Sequence, residues 1–112
     1  MEPMARAATT SDVFNAIAEP QRREILVLLR AGERPVTELA QELRMTQPGA
    51  SKHLRVLREA GFVSCRAAAQ QRIYRLEPDP LHHLDLWLRP YRRMWTRHLD
   101  ALERHLDDME ET

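Results

Sequence analysis

The sequence predicts one small, mainly α-helical domain with a single β-hairpin. Apolar residues recur every three or four positions through most of the chain, and two β-prone stretches flank a short loop after residue 61. Proline and glycine residues separate the segments. A chain of 112 residues forms one domain with a modest core, so pairing with a second copy is expected to add stability.

Prolines and apolar spacing define the first three predicted helices. Residues 1–10 are expected to form a disordered lead-in, and a short helix is predicted over residues 11–19. A second helix begins at Pro20, whose missing N–H costs little in a first turn, and ends at Gly32. A third helix is predicted over residues 35–43, because its apolar side chains share one face.

The fourth predicted helix, MTQPGASKHLRVLREAG at residues 45–61, has two contrasting faces. Thr46 can cap its N-terminus, and Pro48 lies in its first turn. The apolar face has the spacing of an amphipathic helix and consists of Ala50, Leu54, Leu57 and Gly61. The opposite face, where Glu59 is the only acid, presents the donors and cations Gln47, Ser51, Lys52, Arg55 and Arg58.

Positive charge is concentrated around this helix, although the whole chain has a net charge of zero. Only residues 44–46 separate the third and fourth helices, which is the short connection of a helix-turn-helix unit. Residues 44–76 hold seven Lys or Arg residues and one acid, whereas both flanking segments carry net negative charge. A local basic surface of this kind suits a phosphate backbone.

The second half of the chain predicts a hairpin followed by helix. Residues 62–66 and 71–76 are β-prone and are expected to pair as a wing around a tip at residues 67–71. Pro90 leaves two alternatives open for the C-terminal third: one helix kinked at Pro90, or a short helix over residues 80–88 followed by a long one. Large side chains recur there every three or four residues, and we assign them to a dimer interface: Trp87, Tyr91, Trp95, Leu99, Leu102, Leu106 and Met109.

Five segments together resemble the ArsR-type winged helix-turn-helix transcriptional regulators over nearly the whole chain: PQRREIL, VTELA, QPGASKHL, LREAGFV and RIYRL. The resemblance implies a homodimer that binds a partly palindromic DNA operator, usually represses, and releases DNA when an effector arrives. Residues 11–78 would then form the DNA-binding region, and residues 79–112 the dimerisation helix or helices of the same domain. The tail is similar to a branch of the family without metal-binding residues.

A recognition helix presents its N-terminal residues to base edges, so Gln47 is expected to pair with adenine and Lys52 or Arg55 to reach guanine. His53 is either a packed helix residue or a phosphate contact, and Gly49 either allows close approach to DNA or is merely tolerated. The wing tip lacks the glycine and arginine frequent in relatives. The predicted DNA-contacting residues are Gln47, Ser51, Lys52, His53, Arg55, Arg58, Arg66 and Arg72.

Sensing by metal or redox chemistry remains an alternative. A thiolate metal site needs several cysteines, and the chain has one, Cys65, whose redox chemistry would require an intermolecular partner. The Asp-x-His and His-x-x-Glu/His spacing of the family's zinc sensors is not matched, so no metal site is predicted. An intersubunit site would have to use the candidate ligands His82, His83, Asp85, His98, Asp100, His105 and Asp108. Alternatively, Trp87, Tyr91 and Trp95 could line a pocket for an organic effector.

Other functional classes find little support in the sequence. No glycine-rich phosphate loop, nucleophile motif or carboxylate pair is present, so we expect neither an enzyme nor a cofactor. MEPMARAATT lacks the apolar core of a signal peptide, and no apolar run approaches a membrane span, so a cytoplasmic protein is expected. A protein-interaction module on the same fold is the remaining alternative.

Overall fold

The computed structural model describes residues 10–111. The predicted lead-in therefore lies outside the described residues, apart from residue 10. Five helices and three strands follow one another along the chain: α1 (Thr10–Ala18), α2 (Pro20–Leu29), β1 (Arg34–Pro35), α3 (Val36–Glu42), α4 (Gln47–Glu59), β2 (Val63–Ala68), β3 (Gln71–Leu76) and α5 (Asp79–Glu111). The predicted mainly helical fold with one hairpin is confirmed.

The sheet has one more strand than the sequence predicts. Its order is β1-β3-β2, with both pairs antiparallel, and Pro35 of β1 lies opposite Ile73. Pro35 was expected to be helical, but it forms the extended N-cap of α3. A proline has no N–H to donate to a ladder, so it fits this edge strand.

The wing is also longer than expected. Ala67 pairs with Arg72 and Ala68 with Gln71, so both alanines belong to β2 rather than to the predicted tip. The turn is reduced to two residues, and the first of them, Ala69, has a φ of +54°. A turn of two residues matches the twist of the paired strands when its backbone adopts positive φ.

A tight cap ends α3 and sets the direction of α4. Arg44 has a φ of +55°, its N–H bonds to the Gln41 carbonyl at 3.2 Å, and the Met45 N–H bonds to the Ala40 carbonyl at 3.0 Å. These two bonds form a Schellman motif, which satisfies carbonyls left open at a helix end. Thr46 then caps α4, so the predicted helix-turn-helix is built from two consecutive caps.

One face of each helix in the N-terminal three quarters of the chain packs into a shared core. Ala50, Leu54 and Leu57 of α4 are completely buried, as the apolar spacing predicts. Phe62 follows the Schellman cap of α4, in which Gly61 has a φ of +84°, and its side chain is also completely buried. The core therefore holds the inner face of α4 and leaves the opposite face in solvent.

The last helix, α5, is continuous and contains Pro90, which decides between the two alternatives for the C-terminal third. Near its start Leu84 is buried, and the Trp87 ring lies edge-on against Phe14 of α1 at 5.0 Å. Every residue from 89 to 110 is exposed. The described part of the chain contains no helix with the length and apolarity needed to span a bilayer.

Candidate nucleic-acid interface

The N-terminus of α4 combines a side-chain cap with free backbone donors. The Gly49 N–H donates to Thr46 Oγ1 at 3.1 Å, which confirms Thr46 as the N-cap. The other N–H groups of a first turn, with the positive end of the helix dipole, attract anions. A shallow depression of ≈ 440 Å³ lies beside this turn, lined by Pro48, Gly49, Ser51, Lys52 and Arg55.

Gly49 has a local structural reason that the sequence did not reveal. A Cβ atom at this position would lie 3.0 Å from Thr46 Oγ1, closer than ordinary van der Waals contact. Any larger residue would therefore press on the capping hydroxyl. The glycine keeps the cap unstrained, in addition to keeping the backbone slim where the sequence analysis expected DNA to approach.

The polar face of α4 is exposed along its length. Gln47, Ser51, Lys52, Arg55 and Arg58 all have exposed side chains. No salt bridge found within residues 10–111 involves Lys52 or Arg55, so their charge is not neutralised by this part of the chain. A cation without a protein partner can approach a phosphate or a base edge without first breaking an ion pair.

His53 faces α2 as well as solvent. Its Nε2 lies 2.9 Å from Gln21 Oε1, and its Nδ1 lies 3.5 Å from Arg22 Nη1. The first contact requires the ring to donate from Nε2, which leaves Nδ1 as the acceptor. Arg22 also donates to the Ala16 carbonyl at 2.7 Å, so this chain of contacts ties α4 to α2 and α1. A phosphate contact by His53 stays a prediction.

Two of the predicted contact residues converge on the cysteine. Arg58 Nη1 lies 3.6 Å and Arg72 Nη1 3.5 Å from Cys65 Sγ, so α4 and both wing strands meet at this thiol. Sulfur is a weak acceptor, and the contacts leave both guanidinium groups available for other partners. Burial is the main reason why the pKa of the neighbouring Tyr74 is raised.

The remaining wing arginines are paired with acids. Arg66 forms an ion pair with Glu33, in the loop before β1, and this hydrogen bond lowers the pKa of Glu33. Glu77 accepts from Ser64 at 2.5 Å and from Arg75 at 3.2 Å; the bond from Ser64 is the larger cause of its lowered pKa. The sequence analysis missed both acids, because nothing local links residue 33 to residue 66.

The alternative sites look as follows in one chain. The search of the described residues found no group of three or more His, Cys, Asp or Glu side chains that could hold a metal ion. The ring of Trp87 lies 5.0 Å from that of Tyr91, and Trp95 is exposed farther along α5. A depression of ≈ 640 Å³ lies between α1 and α4 instead, lined by Asp12, Asn15, Arg55, Val56, Arg58, Glu59 and Ala60.

The predicted dimer-interface residues form an apolar stripe along α5. Trp87 is exposed to 48% even though it packs on Phe14. Beyond it, the stripe residues are between 44 and 64% exposed and comprise Tyr91, Trp95, Leu99, Leu102 and Leu106. Monomeric proteins rarely expose a continuous apolar surface of this kind, which is typical of an interaction site.

Comparison with known proteins gives consistent matches. Residues 19–64 match the family described as bacterial regulatory protein, arsR family. The chain is 37% identical over 94 residues to the HTH-type transcriptional regulator Rv2034 of Mycobacterium tuberculosis, covering 84% of this chain and 85% of that protein. It is 32% identical over 78 residues to the transcriptional repressor SdpR of Bacillus subtilis, covering 70% of this chain and 87% of that protein.

A solved structure extends the match to the whole fold. The homodimeric winged helix-turn-helix DNA-binding domain of Mb0332 from Mycobacterium bovis superimposes with a TM-score of 0.62 at 28% identity. The match covers 79% of this chain and 82% of that one. The three matched proteins are a regulator, a repressor and a DNA-binding domain.

Proposed function

Because the chain belongs to the ArsR family of bacterial regulatory proteins, we propose that it is a sequence-specific DNA-binding transcriptional regulator that acts as a repressor. The winged helix-turn-helix fold expected from the sequence is confirmed. The observation that carries the proposal is the exposed face of α4, where Lys52 and Arg55 have no acidic partner among the described residues. Its relatives are regulators rather than enzymes.

In this proposal, α4 enters a major groove with its N-terminus leading. Phosphates lie against the first turn and against the cations, while Gln47 reads an adenine and Arg55 or Lys52 reads a guanine. Arg58 and Arg72 extend the contact from the base of the wing. Arg66 joins it by exchanging Glu33 for a phosphate, because both partners are anions of similar geometry.

The operator is proposed to be partly palindromic, since a homodimer presents two copies of α4 related by a two-fold axis. Recognition helices that read one face of DNA lie roughly 34 to 36 Å apart. The apolar stripe of α5 would supply the dimer interface. Such a regulator works where the chromosome is, so we place it in the cytoplasm.

Salt dependence tests the electrostatic part of this proposal. The operator is first recovered by immunoprecipitation of bound genomic DNA, and its affinity is then measured between 50 and 200 mM salt. Each phosphate contact contributes roughly −0.9 to the slope of log affinity against log salt concentration. Lys52→Ala and Arg55→Ala should each reduce that slope by about 1. Arg104→Ala, far away on α5, is the matched control and should leave the slope unchanged.

The same measurement separates DNA binding from a protein-interaction role. If Lys52→Ala and Arg55→Ala bind DNA with wild-type affinity and slope, α4 is not the recognition helix and the proposal fails. Gln47→Ala should relax discrimination at one base pair by about 1 to 3 kcal/mol while leaving the salt slope intact. A uniform loss at all base pairs would show that Gln47 does not read sequence.

A further inference from the structure

The distal helix, by which we mean residues 89–110 of α5, is asymmetric in charge. Residues 89–97 contain four arginines and no acid, whereas residues 100–110 contain five acids and one arginine. Every one of these side chains is exposed. The distal helix is therefore a rod with a basic end, an acidic end and one apolar stripe.

The charges nearest the stripe lie along one side of it. With 3.6 residues per turn, Leu99, Leu102 and Leu106 point within about 40° of the Trp95 direction. One flank of this stripe, turned away by about 60 to 120°, carries both kinds of charge. Arginines occupy its first half and acids its second half: Arg89, Arg92, Glu103, Asp107 and Glu110.

We propose that the distal helices of two copies of this chain pack antiparallel along their apolar stripes, with residue 100 near the two-fold axis. This rests on the proposed homodimer and adds its orientation and register. In an antiparallel pair each flank meets the same flank of the other copy running in the opposite direction. The basic half of one copy therefore lies beside the acidic half of the other, twice in each dimer.

One register satisfies both the apolar and the charged residues. If Leu99 lies opposite Leu102 of the second copy, then Trp95 lies opposite Leu106, and the two numbers of each pair add to about 201. Tyr91 then faces Met109, and on the flank Arg89 faces Glu110, with sums of about 200 and 199. The agreement between the two sets comes from the sequence alone.

A parallel pair would place like charges side by side. Four arginines of one copy would lie next to the same four of the other, and the acids next to acids, at separations near the Debye length of about 8 Å. Arg92 already donates to Asp85 of its own helix at 2.7 Å, but a guanidinium group has further donors for the second copy. Charge complementarity therefore favours the antiparallel arrangement.

Disulfide trapping tests the orientation directly. In a Cys65→Ser background, Leu106→Cys should fail to cross-link to itself, because antiparallel pairing separates the two copies of residue 106 by roughly 18 Å along the helix axis. Mixing Trp95→Cys chains with Leu106→Cys chains should give a cross-linked heterodimer. A self-cross-link of Leu106→Cys, or no cross-link in the mixture, would overturn the proposed orientation or register.

Charge reversal supplies an independent test. Arg89→Glu/Arg92→Glu and Glu103→Arg/Glu110→Arg should each weaken dimerisation by about tenfold at low salt, and mixing them should restore wild-type affinity. Arg104→Glu, on the face opposite the stripe, is the matched control and should change it less than about twofold. In a parallel pair the reversals would not weaken dimerisation.

The failure of this inference differs from the failure of the proposed function. Sedimentation at micromolar concentration reports whether the wild-type chain dimerises at all. A monomer would overturn both the homodimer and its orientation. A stable dimer that cross-links through residue 106 of both copies would overturn only the antiparallel pairing.

Discussion

The two long amphipathic helices, α4 and α5, show the same sequence pattern and opposite burial. In α4 the apolar stripe of Ala50, Leu54 and Leu57 is completely buried by the rest of the chain. In α5 the stripe from Tyr91 to Met109 is 44 to 64% exposed. An apolar period identifies the face that must be covered, but not what covers it.

The difference follows from what lies around each helix. Three helices and the sheet surround α4, so its stripe is covered within one chain. The distal part of α5 extends beyond them, in a molecule that measures 67 × 37 × 20 Å. Burying a Leu-sized side chain is worth about 1.5 to 3 kcal/mol, so several uncovered ones provide a strong driving force for association. Stability should therefore depend on the chain itself around α4 and on protein concentration around α5.

The largest effect is expected in the core that holds α4. Phe62→Ala should lower the free energy of unfolding by about 3 to 5 kcal/mol, because Phe62 is completely buried and its loss leaves a cavity. Urea denaturation measures the change, which should be the same at high and low protein concentration. An unfolding free energy within 1 kcal/mol of wild type would mean that the core is not closed around this ring.

On the other side of the comparison, Trp95→Ala should act on association instead. It should weaken dimerisation by about 2 to 4 kcal/mol, the range for a central aromatic interface residue. Sedimentation measures the effect, and operator binding should weaken with it although no DNA-contacting residue has changed. Unfolding at a concentration where both proteins are monomeric should be unchanged, since Trp95 is 55% exposed within its own chain. A dimer of wild-type strength would remove Trp95 from the interface.

A smaller effect is expected at the start of α4. Thr46→Ala removes the acceptor of the Gly49 N–H bond and should cost about 1 kcal/mol of stability. Thr37→Ala, an exposed position in the first turn of α3, is the control and should be nearly neutral. Thermal unfolding of both variants gives the comparison, and equal melting temperatures would contradict the capping role.

The smallest effect concerns pH and the wing. The pKa of Glu77 is lowered from 4.5 by the hydrogen bonds from Ser64 and Arg75, so its stabilising contribution is present above pH 4.5. It is lost as the pH falls through the lower, folded-state pKa. NMR titration of the Glu77 carboxyl should show this low pKa, and Ser64→Ala should raise it. An unchanged titration in Ser64→Ala would show that this hydrogen bond does not set the pKa.

Much of the fold and of the site follows from local sequence. Helix caps and apolar periods act over a few residues, so α4, its Thr46 cap and its exposed basic face were predicted correctly. The hairpin followed for the same reason, because its two strands are neighbours in the chain.

The tertiary structure decided the features that depend on distant residues. The two-residue strand β1 exists only because β3 lies beside it, and Arg66 finds Glu33 only once the wing packs on the loop before β1. His53 contacts Gln21 for a similar reason, since α2 and α4 meet in the core. A local pattern cannot encode such partners, because 30 or more residues separate them in the sequence and folding alone brings them together.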